Sequence, residues 1–263
     1  MKSSENVPLF AEERRDRIVK ILEENSKILV PELCDHFEVS PATIRKDLRD
    51  LEGKGRLKRT HGGAIPLRQA SFEPNSHLKE AENIEEKHRI AVCAAGFIEN
   101  GDTIALDTGT TTLELAKCLT AKKDLTVMTN DLKIASFLEN NSDANIILVG
   151  GVLRRNFHCT TGPMTVSSMT AFNVDKAFMA SNAFSLEKGF TTPGIDQAEV
   201  KKAMISTASQ IFVLLDSSKL GRISFIKFAD INDIDKLITD TNIGRKTVQA
   251  IEDMSDDLEL IIV

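Results

Sequence analysis

Apolar residues recur along this chain with two periods, and the change of period divides it. From 11 to 66 the spacing is mostly helical. Ile18, Ile21 and Leu22 lie on one face of a charged stretch, 11–24, which predicts a first helix. Leu33 and Phe37 fall four apart after Pro31, a residue that suits a first helical turn, so a second helix follows. A third opens at Ser40-Pro41, with serine as N-cap and proline at the first helical position. Ile44, Leu48 and Leu51 share its inward face. Gly55 is expected to end that helix, Leu57 to sit in a short strand, and Gly62–Gly63 to mark a hairpin turn.

Pro66 to Asn83 carries two prolines and little periodicity, which reads as a linker or extended arm. A helical pattern resumes over 84–97. Short apolar runs at 103–107, 125–129, 145–149, 175–180, 211–215, 236–239 and 258–263 then alternate with helical patterns at 111–119, 131–139, 163–171, 196–209 and 244–253. That alternation predicts an α/β domain with a largely parallel sheet whose strands are buried on both faces. The organisation expected is therefore 1–66, a winged helix-turn-helix; 67–83, a linker; and 84–263, a parallel-sheet domain.

Charge sharpens the picture of the first part. A net charge of −6 argues against a nucleic-acid partner, but its distribution does not. Between Ser40 and Gly63, seven cations (Arg45, Lys46, Arg49, Lys54, Arg56, Lys58, Arg59) face three acids (Asp47, Asp50, Glu52), and His61 adds to the basic side. On the third helix Ala42, Arg45, Lys46 and Arg49 form an arc away from the apolar face. A small residue there allows close approach to a groove, and the cations reach phosphates or guanine edges. The DNA-contacting set expected is Ser40, Ala42, Thr43, Arg45, Lys46 and Arg49 on the helix, with Lys58, Arg59, His61 and Gly62 on the wing. The alternative is a solvated charged face.

Composition narrows the chemistry. Apolar residues at 41% and charged residues at 27% are ordinary for a soluble protein. The longest apolar runs are far too short for a membrane span, and MKSSENVPLFAEERRDR lacks a signal-peptide core, so a cytoplasmic protein is expected. Four scattered cysteines and five isolated histidines show no metal-ligand spacing; neither a metal nor a cofactor is expected.

Ligands of parallel α/β sheets sit at the carboxyl ends of strands, and four such ends are polar here. LDTGTTTLELA (106–116) places the amides of Thr110 to Thr112 at a helix start, where they favour an anion. MTN (128–130), LVGGVLRR (148–155) and LLDSSKLGR (214–222) end other strands, and in one sheet the four would converge on a crevice.

The run VSPATIRKDLRDLEGKGRLKRTHGGA resembles the winged-helix signature of the DeoR family of bacterial transcriptional regulators. The stretch 84–240 is similar to that family's sensor domain through EKHRIA (86–91), LDTGTTTLELA, MTN, LVGGVLR, KGFTTP, VKKAM and DSSKLG. The resemblance implies a fold like ribose-5-phosphate isomerase and a phosphorylated sugar as effector. It implies that Thr108, Gly109, Thr110, Thr111, Thr112 and Lys219 grip the phosphate, while Asp107, Asn130, Gly150, Gly151 and Arg154 line the sugar end. One departure stands out: Ser181-Asn182-Ala183-Phe184 replaces the G-A-D-G of many members, at positions expected to face the sugar.

An aldose–ketose isomerase needs a carboxylate base. The corresponding helix here reads AEVKKA, with Lys201 where the base would stand and Glu199 turned to another side. Lys201 would bind an anion there or do nothing, and with the base missing no enzyme activity is expected. The expected partners are operator DNA, a sugar-phosphate effector and further copies of the chain as dimer or tetramer, with no membrane. The competing readings are an isomerase-like enzyme carrying a DNA-binding module, and an architectural DNA-binding protein.

Overall fold

The computed structural model describes residues 10–263 apart from 26, 55, 67–72, 74–75 and 256. Residues 1–9 of the leading stretch read for a signal peptide, Gly55, and most of the first half of the expected linker lie outside the described residues. The chain divides into two compact units between Leu78 and Lys79.

The first unit contains α1 (Ala11–Glu24), β1 (Ile28–Leu29), α2 (Val30–Phe37), α3 (Pro41–Gly53), β2 (Leu57–Arg59) and β3 (Gly63–Pro66). Ile18, Leu22, Leu33, Ile44, Leu48, Leu51 and Leu57 are all buried in one cluster, so the apolar faces predicted for the three helices do meet. Ser40 caps α3: its Oγ accepts from Thr43 N at 3.2 Å. Glu38 ends α2 in the left-handed region, at φ 53°, which turns the chain sharply into α3. The three strands order β1-β3-β2. Gly63 is not part of the turn, as the sequence suggested, but the first residue of β3, paired with Leu29. A Cβ there would lie 1.9 Å from the Ile28 carbonyl oxygen, so only glycine lets the two backbones approach.

Past α4 (Ser76–Glu80), which spans the boundary, the second unit runs α5 (Ile84–Ala95), β4 (Thr103–Leu106), α6 (Thr110–Lys117), β5 (Thr126–Thr129), α7 (Leu132–Asn141) and β6 (Asn145–Leu148). A hairpin of β7 (Val152–Arg154) and β8 (Cys159–Thr161) leads to α8 (Pro163–Met169) and β9 (Val174–Ala180). Next come β10 (Ala183–Ser185), β11 (Gly189–Thr192), α9 (Ile195–Ser206), β12 (Ala208–Leu214) and a 3-10 turn at Ser217–Lys219. The unit closes with β13 (Ile226–Ala229), β14 (Lys236–Thr239), α10 (Arg245–Glu252) and β15 (Glu259–Ile262).

Seven strands form one parallel sheet, β15-β14-β12-β9-β4-β5-β6, and each corresponds to a predicted apolar run. Alternate residues feed two cores. Ile104, Leu106, Val127, Phe178, Phe212 and Ile238 pack on the side of α5, α6 and α7. Ala105, Met128, Ala177, Met179, Val213 and Leu237 pack on the side of α8 and α9. Helices cover both faces, hence the near-continuous apolar strands. A small antiparallel sheet, β10-β11-β13, and the β7–β8 hairpin were not foreseen. The expected linker also contains ordered structure, since α4 lies within it.

Candidate functional site

On the first unit, Ser40, Ala42, Arg45, Lys46 and Arg49 are exposed along α3, while Thr43 is half-buried with its hydroxyl 2.9 Å from Ser40 Oγ. Lys58, Arg59, His61 and Gly62 are exposed on the β2–β3 hairpin. Not all the cations are equally available. Arg59 Nε pairs with Glu52 at 3.1 Å, and its backbone N–H donates to Glu52 Oε1 at 2.9 Å, which ties the hairpin to the end of α3.

The acids of α3 play a part that spacing did not reveal. Asp47 is 1% exposed. Its carboxylate accepts from Arg14 Nε at 2.6 Å and Arg15 Nε at 2.9 Å, both from α1, and Arg15 also pairs with Asp50. The two negative charges nearest the basic arc are thus neutralised from behind.

In the second unit the carboxyl ends of β4 and β5 carry a buried polar cluster. Asp107 and Asn130 follow register partners Leu106 and Thr129, so they stand side by side on the same face of adjacent strands. Asp107 Oδ2 accepts from Ala180 N at 2.9 Å and from the ammonium of Lys201. Asn130 Nδ2 donates to Thr160 O at 2.8 Å. Their other oxygens, Asp107 Oδ1 and Asn130 Oδ1, are buried and have no hydrogen-bond partner among the described residues. Such acceptors are costly unless something donates to them.

The Thr108–Thr112 loop sits above. Thr108 Oγ1 donates to Asp131 Oδ2 at 2.7 Å, and the Asp131 backbone-bonded Oδ1 caps α7. Burial pushes the Asp131 carboxyl above its usual range, against the hydrogen bonds from Thr108 and the α7 amides. No side chain caps α6 at Gly109, which leaves the first-turn amides of Thr110 to Thr112 facing outward. Thr111 and Thr112 are buried, and the Thr112 hydroxyl donates back to Gly109 O at 3.0 Å.

Gly150 and Gly151 follow β6, but the close approach that Gly151 permits is internal. A Cβ there would meet Thr165 Oγ1 of α8 at 1.9 Å. Arg154 stacks on the Phe157 ring, 3.7 Å from its centroid. Lys201 is 2% exposed, bonded also to Ala180 O at 2.9 Å and 5.1 Å from the centre of the Phe228 ring. Glu199 is exposed and pairs with Lys202 at 2.9 Å.

One expectation is overturned. Phe184 does not face a ligand; it is 1% exposed and packs on Phe190, 4.5 Å between ring centres, because β10 and β11 place the two opposite each other. Of its neighbours, Asn182 is partly exposed and its Oδ1 lies 2.9 Å from Thr192 Oγ1.

Lys219 ends the 3-10 turn after β12, 3.8 Å from Asp216 Oδ2. Burial pulls its pKa down, against the attraction of Asp216. Lys87 of α5, which periodicity alone could not have flagged, is buried nearby and is pulled down by the same cause, with Asp216 and Lys219 both acting on it. Among the described residues, no cluster of His, Cys, Asp and Glu could hold a metal, and no helix is long and apolar enough to cross a membrane.

Residues 14–70 match the DeoR-like helix-turn-helix domain, and residues 82–241 match the DeoR C-terminal sensor domain. The chain belongs to the DeoR family. It is accordingly a transcriptional regulator with a DNA-binding helix-turn-helix and a sensor domain. Among DeoR-type relatives, the HTH-type transcriptional regulator GlpR of Haloferax volcanii is 38% identical over 91% of this chain and 94% of its own length. The HTH-type transcriptional repressor GlcR of Bacillus subtilis is 35% identical over 97% of both. Among solved structures, ribose 5-phosphate isomerase A of Neisseria gonorrhoeae aligns over 53% of this chain and 54% of its own, with 15% identity and a TM-score of 0.38. The eIF2B delta subunit of Chaetomium thermophilum aligns over 86% and 87%, with 14% identity and a TM-score of 0.46.

Proposed function

We propose that this DeoR regulator represses a sugar-catabolism operon and releases its operator when the sensor domain binds a phosphorylated sugar. The observation that carries this reading is the polar end of the sheet. Two buried acceptors, Asp107 Oδ1 and Asn130 Oδ1, lack donors that a sugar hydroxyl would supply, close to a helix start whose amides face outward. Lys219 and Lys87 add desolvated positive charge suited to a phosphate. The carboxylates of the cluster are already engaged, Asp107 by Lys201 and the Ala180 amide and Asp131 by Thr108 and the α7 amides, while Glu199 is exposed and paired with Lys202.

In this reading residues 1–66 carry the DNA function and 84–263 the sensor, and the chain acts as a dimer or tetramer, because one short recognition helix gives too small an interface for useful specificity. Operator affinity measured by anisotropy at fixed salt should weaken by about 1–3 kcal/mol when the phosphorylated sugar saturates the sensor, and the free sugar should have no effect. The ligand's affinity should fall as pH rises toward the depressed range of Lys219 and Lys87, because both must be protonated to hold an anion. Equal action by sugar and sugar phosphate would sink the proposal.

The DNA face has its own test. Arg45→Ala or Arg49→Ala should cost about 1–3 kcal/mol of operator affinity and relax preference at one base step. Lys58→Ala should instead weaken all sequences evenly and flatten the salt dependence. Unchanged operator affinity in Arg45→Ala would mean that the arc is merely solvated.

A further inference from the structure

Hydrogen-bond direction divides the candidate effector site into two chemically different halves. In the strand order β15-β14-β12-β9-β4-β5-β6, the chain lays β5 and β6 on one side of β4, then β9, β12, β14 and β15 on the other. Ligands of parallel sheets sit at such a reversal, beyond the carboxyl ends of the strands. The ends of β4 and β9 touch there: Ala180 N donates to Asp107 Oδ2 at 2.9 Å, and a Cβ on Gly109 would lie 2.8 Å from the Ala180 Cβ. Asp107 Oδ1 and Asn130 Oδ1 are the buried oxygens of this place that have no hydrogen-bond partner among the described residues. Both can only accept. Asp107 Oδ2 is held by Lys201 and Ala180 N, and Asn130 Nδ2 donates to the Thr160 carbonyl at 2.8 Å. That carbonyl fixes which end of the Asn130 amide is which, because a flip would set oxygen against oxygen.

Thr108 joins them as a third acceptor. A threonine hydroxyl carries one proton, and Thr108 gives its own to Asp131 Oδ2 at 2.7 Å. Asp131 Oδ1 accepts from Lys133 N at 2.8 Å and Ile134 N at 3.1 Å, so the start of α7 holds the carboxylate that orients Thr108. Toward a ligand, Thr108 Oγ1 offers lone pairs, and lone pairs repel a phosphate oxygen. The Thr112 proton is committed in the same way, to Gly109 O at 3.0 Å. A phosphate is left to the first-turn amides of α6 and to Lys219. Asn83 Nδ2 fastens the turn that carries Lys219, through Asp216 Oδ1 at 2.9 Å and Ser218 Oγ at 3.3 Å.

We infer that Asp107 Oδ1, Asn130 Oδ1 and Thr108 Oγ1 form a wall that accepts and does not donate, to which the effector presents neighbouring hydroxyl groups. Asp131 is the positioning residue that sets the direction of the Thr108 hydroxyl. This rests on the sensor reading proposed above, moves Thr108 from the phosphate to the sugar end, and names the groups by which sugars are told apart. Adjacent strands lie about 5 Å apart, so hydroxyls on neighbouring carbons reach both Asp107 and Asn130. The ligand class is a phosphorylated compound with at least two free hydroxyls. A carbonyl, an ether oxygen or a fluorine set against the wall leaves a buried acceptor without a donor, which weakens binding about tenfold to a hundredfold. An ammonium group has no such advantage over a hydroxyl, since Lys201 already balances the charge of Asp107.

The test is calorimetry on the intact protein with glucose 6-phosphate, ribose 5-phosphate and sorbitol 6-phosphate, followed by the singly deoxyfluorinated derivatives of the tightest binder. Fluorine is close to a hydroxyl in size and cannot donate. At two or more positions it should weaken binding about tenfold to a hundredfold. Asp131→Asn keeps an oxygen for the α7 amides and turns an N–H toward Thr108, which frees the Thr108 proton for the ligand. In that variant the fluorine penalty at one of these positions should shrink about tenfold while the others stand. Thr108→Val should do the same without touching the α7 cap, and it carries the test should Asp131→Asn fold poorly. A merely structural role would weaken parent and derivatives alike and leave their ratios unchanged. Three results overturn the accepting wall and leave the sensor reading standing: a parent whose derivatives all bind equally well, ratios that survive in both variants, or tighter binding of glucosamine 6-phosphate than of glucose 6-phosphate. If no probe binds the wild type, both fall together.

Discussion

Asp47→Ala should unfold the DNA-binding unit while the sensor unit stays intact. The residue sits on the recognition helix, yet it is 1% exposed and holds Arg14 and Arg15 of α1. Those guanidiniums are themselves largely buried, with side chains 11% and 18% exposed. Removing the carboxylate takes from both guanidiniums their shared buried acceptor, with Arg15 keeping Asp50, and breaking a buried pair in this way costs about 3–5 kcal/mol. Small domains have little more than that to lose, since total stabilities of about 5–15 kcal/mol are usual and short chains lie at the low end. The chain has no Trp and no Tyr, so intrinsic fluorescence cannot follow the change. Amide exchange in α1 and α3 of the intact protein can: protection there should collapse, while β4, β9 and β12 keep theirs. Retained protection in α1 and α3 would show that water replaces the carboxylate without penalty.

This network also marks where sequence reasoning ran out. Periodicity placed the apolar face of α3, and the Ser40-Pro41 pair placed its start, because both are local signals. Charge counting set Asp47 among the three acids of the basic stretch and went no further, since its partners lie 33 and 32 positions away. The same division runs through the sensor. Each of the seven parallel strands was legible as a short apolar run, buried on both faces by flanking helices. Their order was not, because β9 enters between β4 and β12 through connections that leave no local trace. The β10–β11–β13 sheet escaped notice for another reason: β11 reads Gly-Phe-Thr-Thr and its first residue has φ 67°, neither an alternating nor an apolar pattern. Missing it is what misdirected Phe184, whose place is set by pairing with Phe190. In the candidate site, the family motifs took in Asp107, Asn130, Asp216 and Lys219, but not Asn83 or Asp131, whose parts depend on hydrogen bonds between distant segments.

Lys201 gives the other large effect. Its ammonium contacts Asp107 Oδ2, the Ala180 carbonyl and the face of Phe228, which uses its bonding capacity inside the protein. Lys201→Met should therefore cost about 3–5 kcal/mol of sensor stability, because Asp107, at 0% exposure, would be left as an uncompensated charge. Asp107→Leu alone should cost a similar amount by stranding the ammonium. The double variant should lose much less than the two single losses added, since an apolar pair of comparable volume removes both charges at once. Thermal or chemical unfolding of the four proteins, followed by far-ultraviolet circular dichroism, closes this cycle. Additive losses would show that the two side chains do not depend on each other. The cycle also separates two parts that Lys201 could play toward a ligand. As a direct anion contact, it should matter for phosphate binding in proportion to its charge. As the group that fixes Asp107, it should matter for the sugar end, by holding the carboxylate with Oδ1 aimed. The bonding pattern favours the second, so the folded fraction of Lys201→Met should discriminate less among sugars while still preferring a phosphorylated one, and a loss confined to the phosphate would reverse that assignment.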